Sequence, residues 1–211
     1  MSVNLSKGAK VDLTKNNPVK KFRVGLGWNP NTTNGAKFDA DVSAFILDAN
    51  DKAMGDKGMV FYKNLTSENG FITHTGDNQT GDGVGDDEKI IVDFSKVIAG
   101  AKKVVFVVTI HEAIARNQNF GQISGAYIRI MDEEKCLLAD AISDEGQKLA
   151  AYKAAELFNY DLNEDYSGET AVNIGSIYEK DGEWKFFTDG AGKQGGLEAF
   201  VTEFGLEVEA H

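Results

Sequence analysis

The sequence has little cysteine, proline, histidine and positive charge, and this composition excludes several classes of protein. A single cysteine, Cys136, excludes an internal disulfide and suits a reducing compartment. The first residues lack the apolar stretch and small-residue cleavage site of a secretory signal. No apolar run reaches the roughly 18 residues of a membrane span. We therefore expect a cytoplasmic protein with no transmembrane segment.

The shortage of cations leaves the chain strongly acidic. Asp and Glu number 33 against 22 Lys and Arg, which gives a formal net charge of −11. Such a chain repels phosphate backbones, so nucleic acid and anionic membranes are disfavoured as partners, whereas cations are favoured. A G-x-S-x-G elbow, which would indicate a serine hydrolase, is also missing.

What the chain does have is glycine and the alternation of β-strands. It contains 23 glycines and 2 prolines, a balance that favours many tight turns. Apolar and other residues alternate over 21–28 and 125–132, which is strand periodicity. The segment 104–110 is apolar on both faces, so it predicts a central strand covered on both sides. Asp181-Gly182, flanked by aromatic residues, predicts a hairpin turn.

Two helices interrupt the strand pattern. Residues 144–158 are rich in Ala, Leu, Lys and Glu after Ser143, a candidate N-cap, and residues 196–205 carry apolar side chains at helical spacing. With eight to ten strands, this inventory predicts a mainly-β fold. We expect a β-sandwich of two antiparallel or mixed sheets with two short peripheral helices. The length suits a single domain over residues 1–211.

The segment 76–88, GDNQTGDGVGDDE, contains most of the candidate metal ligands. It holds five carboxylates with no intervening cation, and its four glycines let backbone carbonyls turn inward. Calcium takes six to eight oxygen ligands at about 2.3–2.6 Å, which a loop of this composition can supply. The alternative is a solvated acidic loop without a ligand. The candidate metal ligands here are Asp77, Asn78, Asp82, Asp86, Asp87 and Glu88.

The loop is not an EF-hand, although its first and last acids are spaced like one. Asp77 and Glu88 occupy positions 1 and 12 of the twelve-residue frame, but position 6, where a glycine is required, is Asp82. The flanks are also strand-like rather than helical. The pattern therefore predicts a calcium site of the strand–loop–strand kind.

A second candidate pair is Asp39 and Asp41 in the segment FDADVS. In a strand these two carboxylates project from the same face, roughly 6.5–7 Å apart. A shared cation would offset their repulsion; the alternative is that they lie at a strand end, solvated or paired with Lys37. Two acidic clusters predict about two calcium ions per chain. The acids of 161–169 begin like an EF-hand but fail its later positions, so we interpret that segment as a turn.

Taken in order, the segments VNLSKG, VGLGWNPNTT, FDADVSAFIL, HTGDNQTGDGVGDDE, YDLNEDYSGETAVNIGSIY and GGLEAFVTEFGLEVE resemble the TerD family, which is associated with tellurium resistance and general stress response. The resemblance implies a bacterial or related calcium-binding β-sandwich, cytoplasmic or peripheral to the membrane, with no established catalytic reaction. It implies a sensor or assembly module, with protein partners in a stress-response complex. It also implies that the calcium-binding acids fall on Asp39, Asp41, Asp77, Asp86, Asp87 and Glu88, with Asn78 and Asp82 beside them.

The chain departs from the family pattern at two places. Asn29 stands where the family usually has an aspartate after the tryptophan of GLGW. The stretch 133–160 is longer than the family's usual connection, and both a partner-binding role and a simple packed excursion are open for it.

Two other functions stay open at the level of sequence. The acidic loop could position a metal-activated water in a metal-dependent hydrolase. Alternatively, Arg116, Arg129 and Lys193 could contact the anionic group of a nucleotide or another small ligand.

Overall fold

Two six-stranded sheets make up the computed structural model, which describes residues 2–29, 39–76, 86–162, 166 and 168–207. Sheet A contains, in spatial order, β1 (Val3–Asn4), β10 (Glu156–Asp161), β9 (Ser124–Asp132), β3 (Lys21–Asn29), β7 (Glu88–Asp93) and β6 (Ile72–His74). Sheet B contains β2 (Lys10–Asp12), β12 (Glu183–Lys193), β11 (Ala171–Lys180), β8 (Lys103–Ile110), β4 (Ala40–Leu47) and β5 (Met59–Val60). Among these strands β1 and β10 pair in parallel and the others antiparallel. The predicted mainly-β sandwich is confirmed.

The main hydrophobic core lies between the two sheets. Alternate residues of β3, namely Phe22, Val24 and Leu26, are at most 2% exposed and belong to one cluster with Val104 and Phe106 of β8. Burying a side chain of this size stabilises the fold by about 1.5–3 kcal/mol. The period-2 pattern of the sequence thus sets which face of each sheet is inside.

The strand β8 is covered on its other face as well. Val105 and Val107 pack with Phe200 and Phe204 of helix α4 (Gly196–Glu203) in a second apolar cluster on the outside of sheet B. The prediction that the segment 104–110 is a covered central strand is confirmed.

The hairpin between β11 and β12 has the predicted turn. Asp181 and Gly182 have φ angles of 57° and 80°, and Lys180 pairs with Glu183 across them. Two consecutive left-handed residues match the twist of the strands that they join.

The predicted helix over 144–158 is wrong at both ends. Helix α3 spans Glu145–Ala155, and the residue after it begins strand β10. The N-cap is Asp144 rather than Ser143, since the Asp144 Oδ1 accepts a 2.8 Å hydrogen bond from the backbone N–H of Gln147. Pairing with β9 overrides the helix-forming composition that follows Ala155.

The prediction of two helices is incomplete, because the described part of the chain also contains α1 (Ala113–Arg116) and α2 (Glu133–Asp140). Helices α2 and α3 form a hairpin that packs on the outer face of sheet A, against β3 and β9. Its apolar contact consists of Met131, Cys136, Ala139, Tyr152 and Ala155. The 133–160 excursion is therefore a packed layer of the fold.

Candidate functional site

The ends of four strands meet at one end of the sandwich, where the described residues on either side of 77–85 also lie. Strands β3 and β6 end there, and β4 and β7 begin there. Leu26 of β3 pairs with Glu88 of β7, and His74 of β6 pairs with Ile90 of β7. Of the predicted ligands, Asp77, Asn78 and Asp82 lie outside the described residues. We call this end of the molecule the acidic end.

Glu88 joins the two sheets at the acidic end. Its side chain is fully buried, and its Oε2 accepts a 2.5 Å hydrogen bond from the backbone N–H of Val42 in β4. The Nε2 of His74 lies 3.5 Å from the same oxygen. The His74 Nδ1 accepts a 3.1 Å hydrogen bond from the N–H of Gly76, which leaves the ring proton on Nε2, facing Glu88. The carboxylate of Glu88 thus links the end of the acidic segment to the strand that carries Asp41.

Asp87 is held at the end of β3. Its Oδ2 accepts a 2.9 Å hydrogen bond from the N–H of Trp28, while its own N–H donates to the carbonyl of Leu26 at 2.8 Å. Burial raises the pKa of Asp87, and the neighbouring carboxylates of Asp86 and Glu88 act in the same direction. A bound cation would relieve this unfavourable concentration of negative charge.

Asp86 does not face the other acids. Its carboxylate lies against Gly25 on the outer face of sheet A, where its Oδ1 accepts hydrogen bonds from Arg129 Nε at 2.6 Å and from the Tyr127 hydroxyl at 3.1 Å. Burial raises the pKa of the Asp86 carboxyl, against the opposing effect of the Arg129 guanidinium.

Asp39 and Asp41 lie on the side of sheet B. Asp41 is 6% exposed and pairs in register with Thr109, and both line a cleft of about 510 Å³ with His111. Asp39 precedes β4, and its Oδ2 lies 3.9 Å from an Arg116 guanidinium nitrogen.

The described candidates therefore share one end of the sandwich but not one ligand shell. Within residues 2–29, 39–76, 86–162, 166 and 168–207, no three Asp, Glu, His or Cys side chains are placed to hold one metal ion. Asp86 points to the outer face of sheet A, Glu88 points between the sheets, and Asp41 lines the cleft on sheet B.

The cations considered for an anion site are each placed beside a carboxylate. Arg116 lies 3.2 Å from Glu112, Arg129 lies 2.6 Å from Asp86, and Lys193 lies 2.5 Å from Glu203. The three lie in different parts of the molecule, so the described structure does not bring them together as a nucleotide site. Arg129 is buried beside Asp86 on the outer face of sheet A. The only sign of this in the sequence is that Arg129 alternates with the apolar residues Ile128 and Ile130 of β9.

The described helices are all too short or too polar to cross a membrane.

Comparisons with known proteins agree with the resemblance noted in the sequence. The TerD domain model matches residues 1–204. The tellurium resistance protein TerD of Serratia marcescens is 46% identical over 209 residues, covering 99% of this chain and 100% of its own length. General stress protein 16U of Bacillus subtilis (strain 168) is 47% identical over 210 residues, with the same coverage.

A solved structure shows the same fold. The crystal structure of SCO6318 from Streptomyces coelicolor A3(2), described as a homologue of telluride resistance protein (TerD), superposes with a TM-score of 0.65 at 19% identity. The superposition covers 90% of this chain and 99% of that one. With the family model matched over almost the whole chain and full-length relatives at nearly half identity, this protein belongs to the TerD family.

Proposed function

We propose that this protein binds calcium at the acidic end and acts, without catalysis, as a sensor or assembly module in a stress response. The observation that carries the proposal is the hydrogen bond from Val42 to Glu88, which brings the strand bearing Asp41 against the end of the acidic segment. Asp41 and Glu88, which are distant in sequence, are thereby close to the same end of the sandwich.

The chemistry of the donor set favours calcium. The segment supplies carboxylate, amide and carbonyl oxygens on a glycine-rich loop, and calcium accepts such irregular, high-coordination shells more readily than magnesium does. The formal charge of −11 adds a general attraction for cations.

We assign the first ion to the acidic segment, with Asp77 and Asp87 as proposed ligands and Asn78 and Asp82 beside them. A second ion would use Asp39 and Asp41. Glu88 serves chiefly to join β7 to β4 in this assignment, because its Oε2 already accepts the Val42 N–H. About two calcium ions per chain follow from the two clusters.

The proposed biological role follows from the relatives. They are named as tellurium resistance and general stress proteins rather than as enzymes. We propose that this protein shares that role, in the cytoplasm and with protein partners. A single buried cysteine suits the reducing compartment.

Thermal melting with and without calcium tests the proposal. Calcium at about a hundred times its dissociation constant stabilises by about 2.7 kcal/mol per site, which is a rise in Tm of about 5–11 °C for a chain of this size. Combining Asp77→Asn with Asp82→Asn should remove about half of the rise on chelator-stripped protein, because the second ion at Asp39 and Asp41 still binds. The matched control Asp161→Asn, which removes one exposed acid at the end of β10, should keep it.

Either of two results would defeat the assignment. One is an equal loss of the calcium-dependent rise in Asp161→Asn. The other is a wild-type Tm that millimolar calcium leaves unchanged.

A further inference from the structure

A group of buried charges lies on the outer face of sheet A, beneath the α2–α3 hairpin. The side chain of Arg129 is 8% exposed, that of Asp86 is 1% exposed and that of Glu156 is 3% exposed. Charges so deeply buried are stable only when each has partners of opposite sign or strong hydrogen bonds. The contacts of Arg129 therefore determine how this layer is held together.

Asp86 occupies a space that the backbone of β3 leaves open for it. A Cβ atom at Gly25 would overlap the Asp86 carboxylate, so only glycine at that position admits it. The Oδ1 of Asp86 receives the Nε of Arg129 and the hydroxyl of Tyr127. Its Oδ2 rests against Gly25 and has no hydrogen-bond partner within the described residues. The carboxylate thus faces the outer surface of the sheet and not the interior side on which Glu88 lies.

Arg129 also contacts helix α3. Its guanidinium carbon lies 5.7 Å from the ring centroids of both Tyr127 on the sheet and Tyr152 on the helix. One of its terminal nitrogens lies 3.5 Å from the carboxylate of Glu156, the first residue after α3. The sequence of contacts Asp86, Arg129, Tyr152 therefore joins the end of the acidic segment to the hairpin.

Two ion pairs of Arg23 hold the other helix, α2. The Arg23 Nε lies 2.7 Å from Glu133, and a terminal nitrogen of Arg23 lies 2.8 Å from Asp140, so both ends of α2 are held to β3. These ion pairs do not involve Asp86.

A metal at Asp86 would conflict with this arrangement. The guanidinium already bonded to Asp86 would repel a divalent cation beside it. Withdrawing the carboxylate toward the loop would leave Arg129 buried without its closest counter-charge, which is strongly unfavourable. We propose that Asp86, although the family resemblance places it among the calcium ligands, is instead the positioning residue that anchors the α2–α3 hairpin to sheet A through Arg129.

Cys136 provides a direct measurement of this anchoring. It is the only cysteine of the chain, it is 0% exposed, and it packs with Met131 and Tyr152 between the hairpin and the sheet. Burial raises the pKa of its thiol to about 12. Reaction with 5,5′-dithiobis(2-nitrobenzoate) requires an accessible thiolate, so its rate reports how often the hairpin separates from the sheet.

The test compares Cys136 modification rates in chelator, followed by calorimetric calcium titration of the same proteins. Asp86→Ala and Arg129→Met should each raise the modification rate by about tenfold or more, because each removes a buried charge-assisted hydrogen bond. The double variant should react no faster than the faster single variant, since the two residues act as one pair. Asp161→Ala, which removes one exposed acid at the end of β10, should leave Cys136 protected. In titration, Asp86→Ala should bind as many calcium ions as the wild type.

Several outcomes would overturn the proposal. They are a protected Cys136 in both single variants, an equal increase in Asp161→Ala, or the loss of one calcium ion in Asp86→Ala. If Asp86→Ala does not fold, Arg129→Met, which leaves the acidic segment intact, decides the question alone. A wild type that binds no calcium would defeat the proposed function, while the modification rates would still decide the role of Asp86.

Discussion

Truncation of Glu88 should separate its structural contribution from any contact with a metal. Glu88→Ala removes the acceptor of the Val42 N–H and leaves that buried donor unpaired between the sheets. A hydrogen bond to a charged group contributes about 1.5–3 kcal/mol, and the lost side-chain packing adds to this. We expect a loss of about 3 kcal/mol even in chelator, which corresponds to a fall in Tm of about 6–12 °C.

The matched variant is Glu88→Gln. Its amide oxygen can still accept from Val42 and face the Nε2 proton of His74, so we expect a loss of about 1 kcal/mol. Urea denaturation of chelator-stripped protein measures both values. Equal losses in the two variants, or no loss in Glu88→Ala without calcium, would refute the view that this carboxylate joins the two sheets.

Three further predictions follow from the same structure. Gly25→Ala should lower the free energy of unfolding by about 2 kcal/mol or more, because the new methyl group would overlap the Asp86 carboxylate; chemical denaturation measures it. Gly146→Ala in the first turn of α3 should raise stability by up to about 1 kcal/mol in the same assay, since its new methyl group meets only an ordinary contact and its φ is not left-handed. The third prediction concerns the pKa of Asp140. Burial acts to raise this pKa, but hydrogen bonds from Arg23 and Tyr152 outweigh burial, so the pKa in the folded state is lowered. Its stabilising effect is therefore present above the unfolded pKa of about 4 and disappears as pH falls through the lower folded value, so wild type and Asp140→Asn should differ in Tm at pH 7 and converge in acid.

Strand positions were predictable where one physical signal dominated. The segment 104–110 is apolar on both of its faces. The structure covers both faces of β8, with the core on one side and α4 on the other. Asp181-Gly182 is a turn signal that depends on local backbone preference, and the structure has the turn at these two residues.

The helical layer was harder to predict because its stability comes from tertiary contacts. Helix α2 has no wide apolar stripe; it is held by Cys136, Ala139 and the ion pairs of Arg23. The end of α3 was misplaced because strand pairing with β9 takes over after Ala155, although the composition there favours a helix.

In the acidic segment too, the sequence does not predict the tertiary contacts of each side chain. Its composition indicates a cation site, but composition does not tell which way each carboxylate points. Adjacent residues of an extended chain project to opposite faces, so Asp86 and Glu88 would be expected to share a face with each other. The structure turns them apart because Gly25 leaves space for Asp86 on the outer face, where Arg129 lies.

Calorimetric titration of chelator-stripped protein with calcium tests the central claim most directly. The account predicts measurable heat, about two ions per chain, and about one ion in the variant that combines Asp39→Asn with Asp41→Asn. Magnesium at the same concentration should compete poorly. The absence of heat with millimolar calcium, or an unchanged number of ions in the double variant, would contradict the account.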